Sequence, residues 1–245
     1  RCRRKSPGTC GPGRLAGKAM TQAVTKVKIC GIRTLSDAQV AAQAGADFIG
    51  LVFVPGRRRR LELDVARKLV EGLKNGPGGI PRVVGLFADQ PLEEVIHTIE
   101  TCNLDMAQLC GTESLDYCSD TKAEVIKVVH VPQSPSSPEP QGELVKKMTS
   151  YRENGCLVTL DRLVEGLQGG TGESFDWSIA AAVAESGNSF ILAGGLSPDN
   201  VAKAVTTVAP WGLDVSTGVE TNGDKDHKKI RDFLSIAKQR SVLKS

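Results

Sequence analysis

The sequence predicts a single (β/α)8 barrel preceded by a basic, disordered tail. Three observations predict it. From Val27 onward, short apolar runs rich in β-branched residues alternate with longer segments of 3.6-type spacing. The short runs lack an in/out alternation of apolar and polar residues, which is the pattern of parallel strands covered on both faces. Gly and polar residues recur at the C-terminal end of successive runs, where barrels carry their chemistry. An open doubly wound sheet is the alternative arrangement of the same elements.

The elements follow in order. The strands are Val27–Cys30, Phe48–Val54, Val83–Phe87, Met106–Leu109, Val125–Val129, Leu157–Leu160, Phe190–Ala193 and Leu213–Val215. The first helix, Ser36–Ala44, opens with a Ser cap and has Asp37 in its first turn. Helical spacing continues over Asp64–Leu73, Pro91–Thr101, Ser114–Thr121, Leu144–Tyr151, Asp176–Ser186, Ser197–Val208 and Asp224–Lys238. Gln133–Gly142, rich in Pro and Ser, reads as a surface loop.

Composition fits this plan. The chain has 245 residues, of which 40% are hydrophobic and only 4% aromatic, so Val, Ile, Leu and Ala must fill the core. The formal charge is +3, but Arg1, Arg3, Arg4, Lys5, Arg14 and Lys18 sit in a leader without acidic residues. The remaining 25 basic and 28 acidic residues make the rest net acidic, which excludes a uniformly basic nucleic-acid binder. Residues 1–20 read as a disordered leader or linker, and residues 21–245 as the barrel domain. No run reaches the ~18–20 apolar residues of a membrane span. None of the seven cysteines forms a Cys-x-x-Cys pair, and the three histidines lie far apart in sequence. No metal is expected, and the cysteines read as reduced thiols of a cytoplasmic protein.

Several groups at the strand ends carry chemistry. Gly194 and Gly195 form a turn whose amides can cradle a phosphate without interference from a Cβ. Ser216, Thr217 and Gly218 add hydroxyls and amides after the last strand, the usual phosphate position in barrels. The alternative for both segments is tight turns alone. No Walker Lys-Ser/Thr follows, which excludes a P-loop. Arg57–Arg60 is either a solvated charge run or the source of a guanidinium for a carboxylate, with one or two of the four facing inward. Cys30 and Asp161 end strands; packing and loop capping are their bland alternatives. Gly169-Gly170-Thr171-Gly172 follows Asp161 as a flexible stretch.

Taken together, these motifs resemble the phosphoribosylanthranilate isomerase family of tryptophan biosynthesis. The resemblance spans about residues 26–234. It rests on Lys28-Ile29-Cys30-Gly31, Ala44-Gly45-Ala46-Asp47 leading to Gly50, Arg59 four after Pro55, and Gln108-Leu109. It continues through Leu160-Asp161, Gly169–Gly172 with Phe175-Asp176-Trp177, Ala193–Leu196, and Asp214 to Glu220. It implies a cofactor-free Amadori rearrangement of N-(5-phospho-β-D-ribosyl)anthranilate to 1-(2-carboxyphenylamino)-1-deoxy-D-ribulose 5-phosphate. The resemblance implies Cys30 as general base, Asp161 as general acid, and Arg59 as the carboxylate-binding residue. Gly194, Gly195, Ser216, Thr217 and Gly218 fall in the family's phosphate loops. Gln108, Cys110 and Asp214 complete the expected pocket. Cys110 stands where the family usually has His, and Thr217 where it usually has Ser.

Ordinary pKa values, about 3.9 for Asp and about 8.5 for Cys, put this acid and base in the wrong protonation states near pH 7. Either the site shifts them or a minor protonation state reacts. The rivals are another sugar-phosphate isomerase on the same scaffold and a catalytically silent phosphate-binding regulatory domain. The expected partner is the small-molecule substrate, with no nucleic acid and no membrane. The sequence is compatible with a free-standing barrel or with fusion to other tryptophan-pathway activities.

Overall fold

The computed structural model describes residues 25–76, 79–131, 140–162 and 177–242. The leader at 1–20, most of the Pro- and Ser-rich loop, and the glycine stretch at 169–172 with Phe175 and Asp176 lie outside the described residues.

Eight parallel strands close into a barrel in sequence order. They are β1 (Lys26–Cys30), β2 (Phe48–Val52), β3 (Arg82–Phe87), β4 (Met106–Leu109), β5 (Glu124–Val131), β6 (Leu157–Arg162), β7 (Ile191–Leu192) and β8 (Gly212–Val215). Closure is made by β8 against β1, with Lys28 in register with Asp214 and Ile29 with Val215. The helices are α1 (Leu35–Gln43), α2 (Leu63–Lys74), α3 (Leu92–Cys102), α4 (Leu115–Asp120), α5 (Pro140–Glu153), α6 (Trp177–Glu185), α7 (Val201–Val208) and α8 (His227–Val242).

The period of two along a strand sorts side chains into two layers. Val27, Ile29, Ile49, Leu51, Ala107, Val129, Leu160 and Leu213 face outward into the core shared with the helices. Phe48, Val52, Val84, Leu86, Met106, Ile126 and Ile191 form a second, inner cluster with Cys30. Both strand faces are therefore buried, as the missing alternation implies. Toward the C-terminal ends the same period brings polar residues into the interior. Lys28 precedes Cys30 by two positions, His130 follows Val128 by two, and Asp161 follows Thr159 by two.

Some boundaries differ from expectation for identifiable reasons. The cap of α1 is Thr34, whose Oγ1 accepts from the Asp37 N–H at 3.1 Å, rather than Ser36. Helix α5 begins at Pro140, taking the end of the expected loop, because Pro suits a first helical turn. Helix α7 begins at Val201 and not Ser197. Asn200 Oδ1 accepts from Ser197 N–H at 2.8 Å, and Asn200 Nδ2 donates to the Gly195 carbonyl at 2.8 Å. That side chain folds residues 195–200 into a turn and pins the glycine loop. A short antiparallel hairpin, β9 (Glu220–Thr221) and β10 (Asp224–Lys225), precedes α8 where a continuous helix from Asp224 was expected.

A buried ion pair shapes the loop after β4. Lys127 Nζ donates to Glu113 Oε2 at 2.6 Å and to the Gly111 carbonyl at 2.7 Å. Glu113 Oε1 accepts from the Asp89 and Gly111 N–H groups. With both charges paired and hydrogen-bonded, the loop carrying Cys110 is tied down from below.

Candidate active site

A cavity of about 340 Å³ opens at the C-terminal ends of the strands. All the expected site residues except Gly218 line it. Cys30 on β1 and Asp161 on β6 are three strands apart around the closed ring, so they approach the cavity from different sides. Gly218 sits behind it, where the loops after β7 and β8 cross. A Cβ at Gly218 would overlap the Leu196 carbonyl oxygen, so only Gly lets the two backbones approach. The N–H groups of Gly194 and Gly195 take no partner among the described residues. The Ser216 hydroxyl donates to the Cys30 carbonyl at 3.2 Å, which leaves the Thr217 hydroxyl as the less committed donor.

Cys30 lies beside a buried charge pair. Lys28 Nζ donates to Asp214 Oδ2 at 2.8 Å, with the Lys28 side chain fully buried. Gly50 on β2 makes room for this group: a Cβ there would stand 3.1 Å from both Cys30 Sγ and Lys28 Nζ. Burial alone would lower the Lys28 pKa, but the Asp214 carboxylate more than offsets it, so Lys28 remains an ammonium. Burial pushes the Cys30 thiol up; Lys28 pulls it down, Asp214 pushes it up again, and the net shift is upward. The unliganded site therefore holds a protonated thiol near pH 7, with a hydrogen-bonded ammonium beside it to stabilise thiolate. Burial also pushes the Cys110 thiol up, to about 12.

Lys28→Met is expected to destabilise the fold by about 3–5 kcal/mol, because it leaves the Asp214 carboxylate buried without its partner. Denaturant unfolding measures this. Alkylation of Cys30 at a fixed pH should also slow, since the thiol loses the cation that favours its ionised form. Unchanged stability and unchanged alkylation would contradict the pairing.

Of the arginine run, Arg57, Arg58 and Arg59 all border the cavity. Arg59 sinks deeper than Arg58: its side chain is 16% exposed, against 50% for Arg58. Arg59 Nε and Nη2 donate to the two oxygens of Glu220 at 2.7 and 2.9 Å. Glu220 also accepts from Arg58 Nη2 at 2.7 Å and Lys225 Nζ at 2.9 Å. Burial would raise the Glu220 pKa, but the hydrogen bonds from Arg59 and Lys225 hold it at about 2. The pair uses one edge of the guanidinium. Nη1 has no partner among the described residues, so the Nη1–Nη2 edge is left to a ligand.

Three acceptor atoms in the cavity wall are buried and without a hydrogen-bond partner among the described residues: Gln108 Oε1, His130 Nδ1 and Asp214 Oδ1. A ligand that fills this wall must bring donors. Lys28, Glu220 and His130 were not singled out as site residues from the sequence. The available signals were a Lys two before Cys30 in a buried strand, a carboxylate close after Ser216-Thr217, and a His in phase with inward Ile126 and Val128.

A closed parallel barrel with thiol, carboxyl and guanidinium groups around one cavity at its C-terminal mouth defines an enzyme of the (β/α)8 class. The sequence model of the family described as N-(5'phosphoribosyl)anthranilate (PRA) isomerase matches residues 27–236. The chain belongs to this family. It is 43% identical over 215 residues to N-(5'-phosphoribosyl)anthranilate isomerase of Pelobacter propionicus, covering 87% of this chain and 96% of the relative. It is 42% identical over 219 residues to the same enzyme of a Geobacter species, covering 89% and 100%. The crystal structure of phosphoribosyl anthranilate isomerase from Thermotoga maritima superposes with a TM-score of 0.75 at 32% identity, covering 88% of this chain and 99% of that one. A further neighbour, with a TM-score of 0.72 at 32% identity and the same coverage, is a phosphoribosyl anthranilate isomerase in complex with reduced 1-(o-carboxyphenylamino)-1-deoxyribulose 5-phosphate. Among the described residues, no helix is long and apolar enough to cross a membrane. No group of three His, Cys, Asp or Glu among them is arranged to hold a metal ion.

Proposed function

We propose that this chain isomerises N-(5-phosphoribosyl)anthranilate to 1-(2-carboxyphenylamino)-1-deoxyribulose 5-phosphate, as its family membership implies. The observation that carries the residue assignment is the shared cavity: Cys30 and Asp161 face it from different strands, between Arg59 and the glycine loops. Arg59 holds the anthranilate carboxylate through its free edge. The Gly194 and Gly195 amides, with Ser216, Thr217 and Gly218, hold the phosphate. Gln108, Cys110 and Asp214 border the sugar between these two anchors.

The reaction then runs through ring opening, enolisation and ketonisation, each driven by proton transfer. Asp161, as a carboxylic acid, protonates the furanose ring oxygen; the bond from that oxygen to C1 breaks and C1 becomes doubly bonded to the anilino nitrogen. Cys30, as thiolate, removes the proton from C2, and the electron pair flows to give the enolamine. Protonation at C1 and loss of the proton from the C2 hydroxyl complete the ketose. Lys28 favours the thiolate that this step needs, and the phosphate and carboxylate anchors keep C2 in reach of it.

Loss of anthranilate fluorescence on mixing the purified protein with N-(5-phosphoribosyl)anthranilate tests the proposal. Turnover is the expected result. Binding without turnover would favour the silent phosphate-binding rival, and turnover only of another aldose phosphate would favour the other. We further propose that the protein works in the cytoplasm on this small molecule and without nucleic acid. The five cysteines of the described residues are all free thiols, which supports that compartment.

A further inference from the structure

His130 stands on β5 in register with Asp161 on β6, and both residues line the cavity. Its Nε2 lies 3.2 Å from the Cys110 carbonyl oxygen. A carbonyl only accepts, so Nε2 carries the proton and donates. In the neutral ring the other nitrogen, Nδ1, is then a bare acceptor. Nδ1 is buried and has no partner among the described residues. The Cys110 contact thus fixes both the orientation of the ring and its tautomer.

We infer that His130 is a substrate-binding residue, whose Nδ1 accepts a hydrogen bond from a sugar hydroxyl of the bound pentose phosphate. The inference rests on the function proposed above for this cavity. Among ligand groups, phosphate and carboxylate present acceptors and cannot satisfy Nδ1; the donors are the sugar hydroxyls and the anilino N–H. Arg59, in the loop after β2, is proposed to anchor the aromatic end, far around the ring from β5. Asp161, the neighbour of His130 in register, is the residue proposed to meet the sugar ring oxygen. The sugar hydroxyls are therefore the donors within its reach. Gln108 Oε1, on the adjoining β4, is a second unpaired acceptor lining the same side of the cavity, so that side suits a polyol.

Two substitutions separate the two ring nitrogens. His130→Gln keeps an amide donor near the Nε2 position but no acceptor at Nδ1. His130→Asn places an amide oxygen near Nδ1 and gives up the reach to Cys110. With folding checked by thermal unfolding, the Kd for D-ribose 5-phosphate and the KM for N-(5-phosphoribosyl)anthranilate are measured for each. The expected result is about a tenfold rise in Kd and KM for the Gln variant, with a several-fold smaller rise for the Asn variant, which keeps the acceptor but loses the Cys110 contact. In the parent protein labelled with 15N-histidine, the bare Nδ1 resonance of His130 should move on adding ribose 5-phosphate. A Gln variant with parent affinity, or equal weakening in both variants, would overturn the assignment, as would an unmoved Nδ1 resonance. The labelled binding experiment does not depend on turnover, so failure of the proposed reaction and failure of this contact are read separately.

Discussion

Cys30→Ala and Asp161→Asn are each expected to lower kcat by about 10²–10⁴, the range for loss of a positioned acid or base. Affinity for a product analogue should change little in both. The reason lies in the division of labour around the cavity. In the proposed reaction, binding energy comes from Arg59 on one side and the glycine loops on the other, and neither substitution touches those anchors. Cys30→Ser is the sharper variant, because it keeps a hydroxyl in the same space. The Ser hydroxyl ionises far less readily than a thiol, so Lys28 cannot supply enough of the anion and kcat should remain low. Full activity in Cys30→Ser would remove the thiolate from the mechanism; full activity in Asp161→Asn would remove the acid. Single-turnover kinetics with the fluorescent substrate measures both effects.

The second large effect is at the carboxylate anchor. Arg59→Ala should raise KM by about 10- to 150-fold, the equivalent of one charge-assisted pair of hydrogen bonds. Arg57→Ala should change it by less than about threefold, because among the described residues no carboxylate holds its guanidinium in place as Glu220 holds Arg59. Glu220→Gln should also raise KM, by an amount between these two. Glu220 grips the Nε–Nη2 edge of Arg59 and thereby aims the other edge at the cavity. The amide of Gln can accept one such bond but not the charged pair. The carboxylate is robust to acid: its pKa in the folded protein is about 2, well below the ordinary 4.3 or so. Its contribution to stability is thus fully present above pH ~4.3 and is lost as pH falls from there toward about 2. Across neutral pH Glu220 therefore stays a carboxylate and keeps its grip on Arg59. Equal effects of Arg57→Ala and Arg59→Ala would mean that the run acts only as a diffuse charge.

The strands and helices were legible because their determinants are local. Apolar runs and helical spacing located all eight strands and all eight helices in order. The ends of elements were less legible where a side chain from a few residues away decides them, as Thr34 does at α1 and Asn200 at the start of α7. The hairpin at Glu220–Lys225 is too short to show a period. Cys30 and Asp161 were visible as polar ends of apolar strands. Lys28 is different: its burial is made tolerable by Asp214, a residue adjacent only after β8 closes on β1. Glu220 likewise gains its meaning from Arg59, far away in sequence. His130 looked like a stray histidine until the barrel set it beside Asp161 and the Cys110 carbonyl.

The proposed reaction requires the substrate to lie across the barrel mouth from Arg59 to the glycine loops, with Cys30 at C2 and Asp161 at the ring oxygen. A crystal structure of this protein with reduced 1-(o-carboxyphenylamino)-1-deoxyribulose 5-phosphate tests it most directly. The expected result has the carboxylate on the Nη1–Nη2 edge of Arg59 and the phosphate on the Gly194, Gly195 and Thr217–Gly218 backbone. Cys30 Sγ and an Asp161 carboxyl oxygen should then flank the sugar chain at C2 and C4. A ligand seated in the reverse direction, or one that leaves Cys30 or Asp161 out of reach of those atoms, would contradict the proposed roles.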